Sequence, residues 1–186
     1  LVATANGGVI SFPKLTSVQG APFRASGKGS HIDAPLLSTA YDSEFVANSG
    51  SAINIPELTT LRHGEKWGGI KVDGDGTFDL PKLVNVERPE FAVTGNAEIK
   101  IPGITSVSFA TITVGGSGKF PFSQLLSIDD SSIIASNGAK VTLPNVTKYT
   151  MSGERVGFKF TADGNGSEIS FPELTEIADP TDQYYS

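Results

Sequence analysis

One motif is written eight times along the chain, and its period decides what the chain can fold into. The clearest copies are ISFPKLTSV (10–18), INIPELTTL (53–61), FDLPKLVNV (78–86), IKIPGITSV (99–107) and ISFPELTEI (169–177). IDAPLLSTA (32–40), FPFSQLLSI (120–128) and VTLPNVTKY (141–149) are fainter copies. The central proline falls at 13, 35, 56, 81, 102, 144 and 172, with Ser123 in the remaining place, so successive spacings are 22, 21, 25, 21, 21, 21 and 28. A period in this range belongs to a solenoid, whose units bury their apolar faces only by stacking on one another.

Each unit reads as three short sides. Upstream of the proline motif lie FRASGKGS (23–30), IKVDGDGT (70–77), FAVTGNAE (91–98), ITVGGSGK (112–119) and FTADGNGS (160–167). Their first and third residues are apolar, as in Phe91 and Val93, which marks a strand with one buried face. A Gly-rich corner follows, where positive φ is inexpensive. The second strand points Ile99 and Ile101 inward, and their counterparts in other units. Proline has no N–H to give a ladder, so it marks the second corner. Leu15 and Val18, three apart, pack a third side.

The predicted fold is all-β: a right-handed parallel β-helix of about eight coils of 21–22 residues, with three short sides per coil. The handedness follows the strong bias of parallel crossovers. The expected core is two columns, Ile10, Ile32, Ile53, Phe78, Ile99, Phe120, Val141, Ile169 and Leu15, Leu37, Leu58, Leu83, Ile104, Leu125, Val146, Leu174. Residues 1–177 form a single solenoid domain, and 178–186 a C-terminal tail or partial cap. Two coils are interrupted at the same corner. Eight residues, 62–69, separate Leu61 from Ile70, and ten, 150–159, separate Tyr149 from Phe160, where other coils use four. Both insertions therefore leave one edge, four coils or roughly 19 Å apart.

Composition narrows the function. The net charge of −6 and the absence of any Lys/Arg run speak against a nucleic-acid partner. There is no cysteine for a disulfide, a thiolate metal site or a thiol nucleophile. No apolar stretch reaches membrane-spanning length, and none reads as a signal peptide. The chain starts inside a repeat without Met, which reads as a mature or excised segment of a longer protein.

Candidate chemistry is sparse. Asp33 and Asp79 fall in one outward column, two coils or about 9.5 Å apart by strand spacing, near the upper end for paired carboxylates in inverting glycoside hydrolysis. His31 lies beside that column as an exposed residue. A solvated polar face explains the same residues without catalysis. DGDGTFD (73–79) and DGNGSE (163–168) suggest weak calcium sites at Asp73, Asp75, Asp163 and Asn165, since hard oxygens at alternate positions suit Ca²⁺; plain Asp/Gly turns are the simpler reading. The column Thr16, Ser38, Thr59, Val84, Thr105, Leu126, Thr147, Thr175 has hydroxyls as an ice-binding array would, but Val84 and Leu126 interrupt it. Asn145 and Asn165 match the glycosylation acceptor pattern. Trp67, with Arg62, His63, Glu65 and Lys66 in the first insertion, forms the expected ligand-binding group: an aromatic ring among polar residues suits a sugar or a protein anchor. The alternative is that Trp67 folds back onto the rod.

The F/I-P-x-L-T-x-V/I unit with its Gly-rich strand resembles the β-solenoid repeats of large bacterial surface and secreted proteins. It is also similar to the Phe-Pro-x-Leu-Thr-x-Val/Ile runs of receptor L domains and related fungal wall proteins. The likeness covers nearly all of residues 1–177 and implies an extracellular, adhesive or ligand-displaying role, carrying no catalytic residue with it. The expectation is thus a non-catalytic extracellular or cell-surface binding, adhesion or spacer module, with a glycan or protein partner at the insertion edge and no cofactor beyond possible calcium. The alternative is a polysaccharide-degrading β-helix enzyme, hydrolase or lyase, using Asp33 and Asp79.

Overall fold

In the computed structural model, residues 3–48, 50–64, 68–152 and 157–179 are described, residues 3–5 by their backbone alone. The first side of the coils is one eight-stranded parallel sheet: Ala3–Asn6, Pro22–Ser26, Glu44–Asn48, Gly69–Val72, Glu90–Val93, Thr111–Gly115, Ser132–Ser136 and Phe160–Asp163. Its register is the one that the repeats dictate, with Phe23 beside Phe45, Phe45 beside Ile70, and Ile70, Phe91, Ile112, Ile133 and Phe160 following in turn. Each inward residue thus sits on its counterpart one coil away. That is how a three- to five-residue strand finds enough apolar neighbours to be stable.

The other two sides are broken. The second consists of a three-stranded sheet (Val9–Ser11, His31–Asp33, Ala52–Asn54) and two pairs, Thr77–Asp79 with Glu98–Lys100 and Lys140–Thr142 with Glu168–Ser170. The third has four strands (Ser17–Gln19, Thr39–Tyr41, Thr60–Arg62, Asn85–Glu87) and a separate pair, Lys148–Thr150 with Glu176–Ala178. Six of the eight repeats therefore make a turn with strands on all three sides. The fifth keeps two such sides, and the sixth only the first.

The sixth repeat departs most from expectation. Instead of a second-side strand it has a 3-10 turn at Phe122–Gln124. Pro121 is the reason, because it has no N–H for the ladder. Where Leu80 N–H donates to Lys100 O at 2.9 Å and Leu143 N–H to Ser170 O at 2.9 Å, Phe122 N–H turns back to Phe120 O at 2.8 Å. Only single bridges, Glu98 to Lys119 and Ser106 to Ser127, connect the fifth and sixth coils on these sides.

The core is a continuous stack in which both expected columns are buried except at the ends, where Ile10, Leu15, Ile169 and Leu174 are only partly covered. Aromatic residues follow the axis: Phe23 stacks on Phe45 with centroids 5.2 Å apart, and Tyr149, Phe160 and Phe171 form a further run at 4.9 and 4.8 Å. Burying each such side chain contributes about 1.5–3 kcal/mol. At the first corner, Gly95 (φ 71°) would bring a Cβ to 3.0 Å from the Gly74 N. A side chain there would press on the backbone of the neighbouring corner, although Asn137 (φ 52°) holds the equivalent place two coils on.

The candidate hydroxyl array is part of this scaffold. Ser38 Oγ donates to Thr16 O at 3.1 Å, Thr59 Oγ1 to Ser38 O at 3.0 Å and Thr175 Oγ1 to Thr147 O at 3.1 Å. These hydroxyls tie each coil to the one before it, while Val84 and Leu126 lie exposed between them.

Candidate functional site: the edge that carries both insertions

The corner between the third side and the next first side turns through one residue at positive φ in most coils: Gly20 (64°), Asp42 (48°), Arg88 (53°), Phe109 (52°) and Asp130 (53°). Only Gly and, less readily, Asn or Asp adopt this conformation cheaply, so the other occupants need an explanation.

The two Asp residues have one. Asp42 Oδ1 accepts the Gly64 N–H at 2.8 Å, and Asp130 Oδ1 accepts the Ser152 N–H at 2.7 Å. In both cases the amide belongs to the start of an inserted corner, one coil further on. The next residue is a buried serine in both coils. Ser43 Oγ accepts from Ala21 N at 3.3 Å and donates to Tyr41 O at 2.8 Å; Ser131 Oγ accepts from Ala110 N at 3.1 Å and donates to Asp129 O at 3.1 Å. The same Asp-Ser unit thus prepares the ground for each insertion, 88 residues apart (130 − 42). Asp129 strengthens the second by accepting Thr150 N–H at 2.6 Å.

Between the insertions the edge carries Arg88 and Phe109. The Arg88 guanidinium lies 4.5 Å from the centre of the Phe109 ring, within cation–π range. Phe158, from the second insertion, packs edge-on against Phe109 at 6.0 Å. A bulky residue at positive φ is uncommon, and here it aims an aromatic ring along the edge between the two insertions.

Of the residues expected in the first insertion, Glu65, Lys66 and Trp67 lie outside the described residues. Arg62 is exposed and pairs with Glu87 at 3.6 Å. His63, read from the sequence as part of an exposed ligand-binding loop, is buried with 3% of its surface accessible, because the returning Gly68 backbone lies against its ring. Beside it runs a charged ladder on the first side. Glu44 pairs with Arg24, and Lys71 bridges Glu44 at 3.2 Å and Glu90 at 2.9 Å. Burial disfavours the Lys71 charge, but the bonds and charges of Glu90 and Glu44 outweigh it and raise its pKa above the ordinary lysine value.

The remaining candidates lie elsewhere. Asp33 pairs with His31 at 3.1 Å, so His31 is exposed but partnered. Asp79 lies apart from that pair, in an open groove of about 360 Å³ on the second side with Glu98, Lys100, Lys119, Pro121 and Gln124. The groove opens where Pro121 interrupts the ladder. At the first corner, Asp73 Oδ1 accepts the Thr94 hydroxyl at 2.6 Å and Asp75 Oδ1 the Asn96 amide at 3.1 Å. Asp163 and Asn165 stand four coils away at the same corner, and among the described residues no three His, Asp or Glu side chains gather as a metal cluster. Asn145 uses its amide on Ser123 O at 2.6 Å.

Sequence reading missed Arg88, Phe109, Phe158 and the two Asp-Ser units. The units had a visible signal, since Asp-Ser occurs only at 42–43 and 130–131, each time in the coil before an insertion. The chain matches no protein-family model, no curated protein and no solved structure.

Proposed function

We propose that the chain is a non-catalytic binding module of a longer extracellular or cell-surface protein of the bacterial β-solenoid kind. In this reading the edge formed by residues 62–69, Arg88, Phe109 and 150–159 meets a glycan or protein partner, and the coils serve as its rigid support. The observation that carries it is the shared anchoring of the two insertions: the same Asp-Ser unit fixes the base of each, and Arg88, Phe109 and Phe158 occupy the span between them. Aromatic and Arg side chains are the usual anchors of binding surfaces, and Trp67 belongs to the same edge by sequence. Binding to a glycan array, with and without calcium, is the test. Trp67→Ala and Phe109→Ala should each weaken retained ligands at least tenfold. Unchanged binding in both variants removes the edge assignment.

A second reading, a polysaccharide-acting enzyme, draws support from the groove that holds Asp79 beside Glu98, Lys100, Lys119 and Gln124. New reducing ends or unsaturated products from acidic polysaccharides, lost in Asp79→Asn and in Asp33→Asn, would establish it. Turnover that is absent, or indifferent to both changes, ends it.

A further inference from the structure

The pair Asn-Gly occurs three times, at 6–7, 137–138 and 165–166, and each copy lies at the first, Gly-rich corner of its coil. This dipeptide carries a chemistry of its own. The glycine nitrogen can attack the asparagine side-chain amide, because no Cβ on the glycine hinders the five-membered ring that forms. Attack needs an N–H free to give up its proton and a backbone free to bring that nitrogen onto Cγ.

Two of the three pairs are locked by the coil that follows. Gly7 N–H donates to Ser30 Oγ at 2.6 Å, and Gly138 N–H to Ser167 Oγ at 3.0 Å. Both serines end the same kind of corner, Gly-x-Gly-Ser at 27–30 and 164–167. Their glycines share positive φ, 88° and 82° in the first corner and 85° and 82° in the second. Each hydroxyl is in turn held by its own coil, Ser30 Oγ donating to Ser26 O at 2.6 Å and Ser167 Oγ to Asp163 O at 2.6 Å. A locked glycine amide must break its bond to the serine before it can react.

The third pair sits inside the second of those corners. Asn165 and Gly166 are exposed, and among the described residues no acceptor meets the Gly166 N–H. At the matching place of the other corner, Gly29 N–H donates to Gly50 O at 3.4 Å. A Cβ on Gly166 would find only Gly138 Cα, at 3.8 Å, so this backbone has room to move.

We infer that Asn165 is a self-modification site whose conversion unlocks Asn137 in turn. Gly166 N loses its proton and bonds to Asn165 Cγ; the Cγ–Nδ2 bond breaks, and ammonia leaves with that proton. Water then opens the resulting succinimide at one of its two carbonyls, giving aspartate, or isoaspartate with the main chain running through Cγ. Either product adds a negative charge near Asp163. Isoaspartate also lengthens the corner between Asp163 and Ser167, which draws Ser167 Oγ off the Gly138 N–H. Asn6 has no such trigger, since Lys28 stands in its locking corner where Asn165 stands in the other. None of this depends on a ligand at the insertion edge.

Peptide mapping by mass spectrometry tests it, on the intact chain kept in mildly alkaline buffer. It follows each pair through the mass gained as amide becomes acid. Asn165 should convert first, Asn137 after it and Asn6 last, each locking bond slowing its pair by up to about tenfold. Ser167→Ala should bring Asn137 forward and leave Asn6 unchanged, and Ser30→Ala should do the reverse. Asn165→Gln, which would need a slower six-membered ring, should hold Asn137 at the rate of Asn6. Equal rates at the three pairs, Asn137 or Asn6 ahead of Asn165, or no conversion at Asn165 overturns the site. An Asn137 rate that is the same in Asn165→Gln as in the parent overturns the coupling. If a serine variant does not fold, the order in the unaltered chain and the Asn165→Gln comparison decide the matter.

Discussion

Asp130 accepts the Ser152 N–H at 2.7 Å from a backbone at φ 53°, so one residue both turns its own coil and fastens the base of the insertion on the next. Asp130→Ala removes a charge-assisted bond and puts a Cβ-bearing residue with no compensating contact at positive φ. The expected loss is about 1–3 kcal/mol, read as a lower urea midpoint at unchanged slope. Asp130→Asn keeps an acceptor and tolerates the conformation, so it should lose less than half as much.

Ser131→Ala should be nearly as harmful for a different reason. The buried hydroxyl satisfies Ala110 N–H and Asp129 O together. Its removal leaves the buried amide unpaired, at a cost of about 1–3 kcal/mol. Thermal denaturation should show the drop, while a small apolar side chain at the exposed Ser152 changes little.

Inward and outward positions on one strand should differ sharply. Ile99 is buried between Phe78 and the sixth coil, whereas Lys100 is exposed and meets Glu98 at 3.6 Å. Ile99→Ala is expected to cost about 2–5 kcal/mol, and Ile99→Asn more. Lys100→Ala should stay within about 0.5 kcal/mol of the parent. Chemical denaturation of the three variants checks the order.

Tyr149 predicts an alkaline limit. Burial, followed by the charges of Asp130 and Asp129, pushes its phenol up to about 12. The folded chain therefore holds this proton where an unfolded one releases it near pH 10. The contribution is intact below pH 10 and is lost as pH rises toward 12. Stability measured across that window should fall less steeply in Tyr149→Phe, and phenolate absorbance should show one tyrosine titrating late.

The repeat made inward positions legible because burial on a strand alternates with period two and each coil repeats its neighbour's choice. Pro121 shows the limit of that logic: it stands where Asp79 and Lys100 stand in their strands, but a residue without an N–H cannot take their place in a ladder. The burial of His63 was not legible, because nothing in RHGEKWGG says which residue the Gly68 backbone will cover. Arg88 and Phe109 escaped notice since neither is a usual positive-φ residue. The corner imposes that conformation, and Arg88 then lies over Phe109, which meets Phe158 from a coil two turns later in the chain.

The three sides of the rod also differ as mechanical elements. The first side passes load through eight hydrogen-bonded strands without a break, whereas the second is interrupted between the third and fourth coils and again at the sixth, and the third at the fifth and sixth. A rod built this way has a stiff spine along one side and a compliant seam across the other two. It resists bending in some directions more than others, and the longest gap shared by those two sides lies beside Pro121, between the two insertions. The separation of those insertions is thereby tied to a stretch where the first side carries most of the ladder.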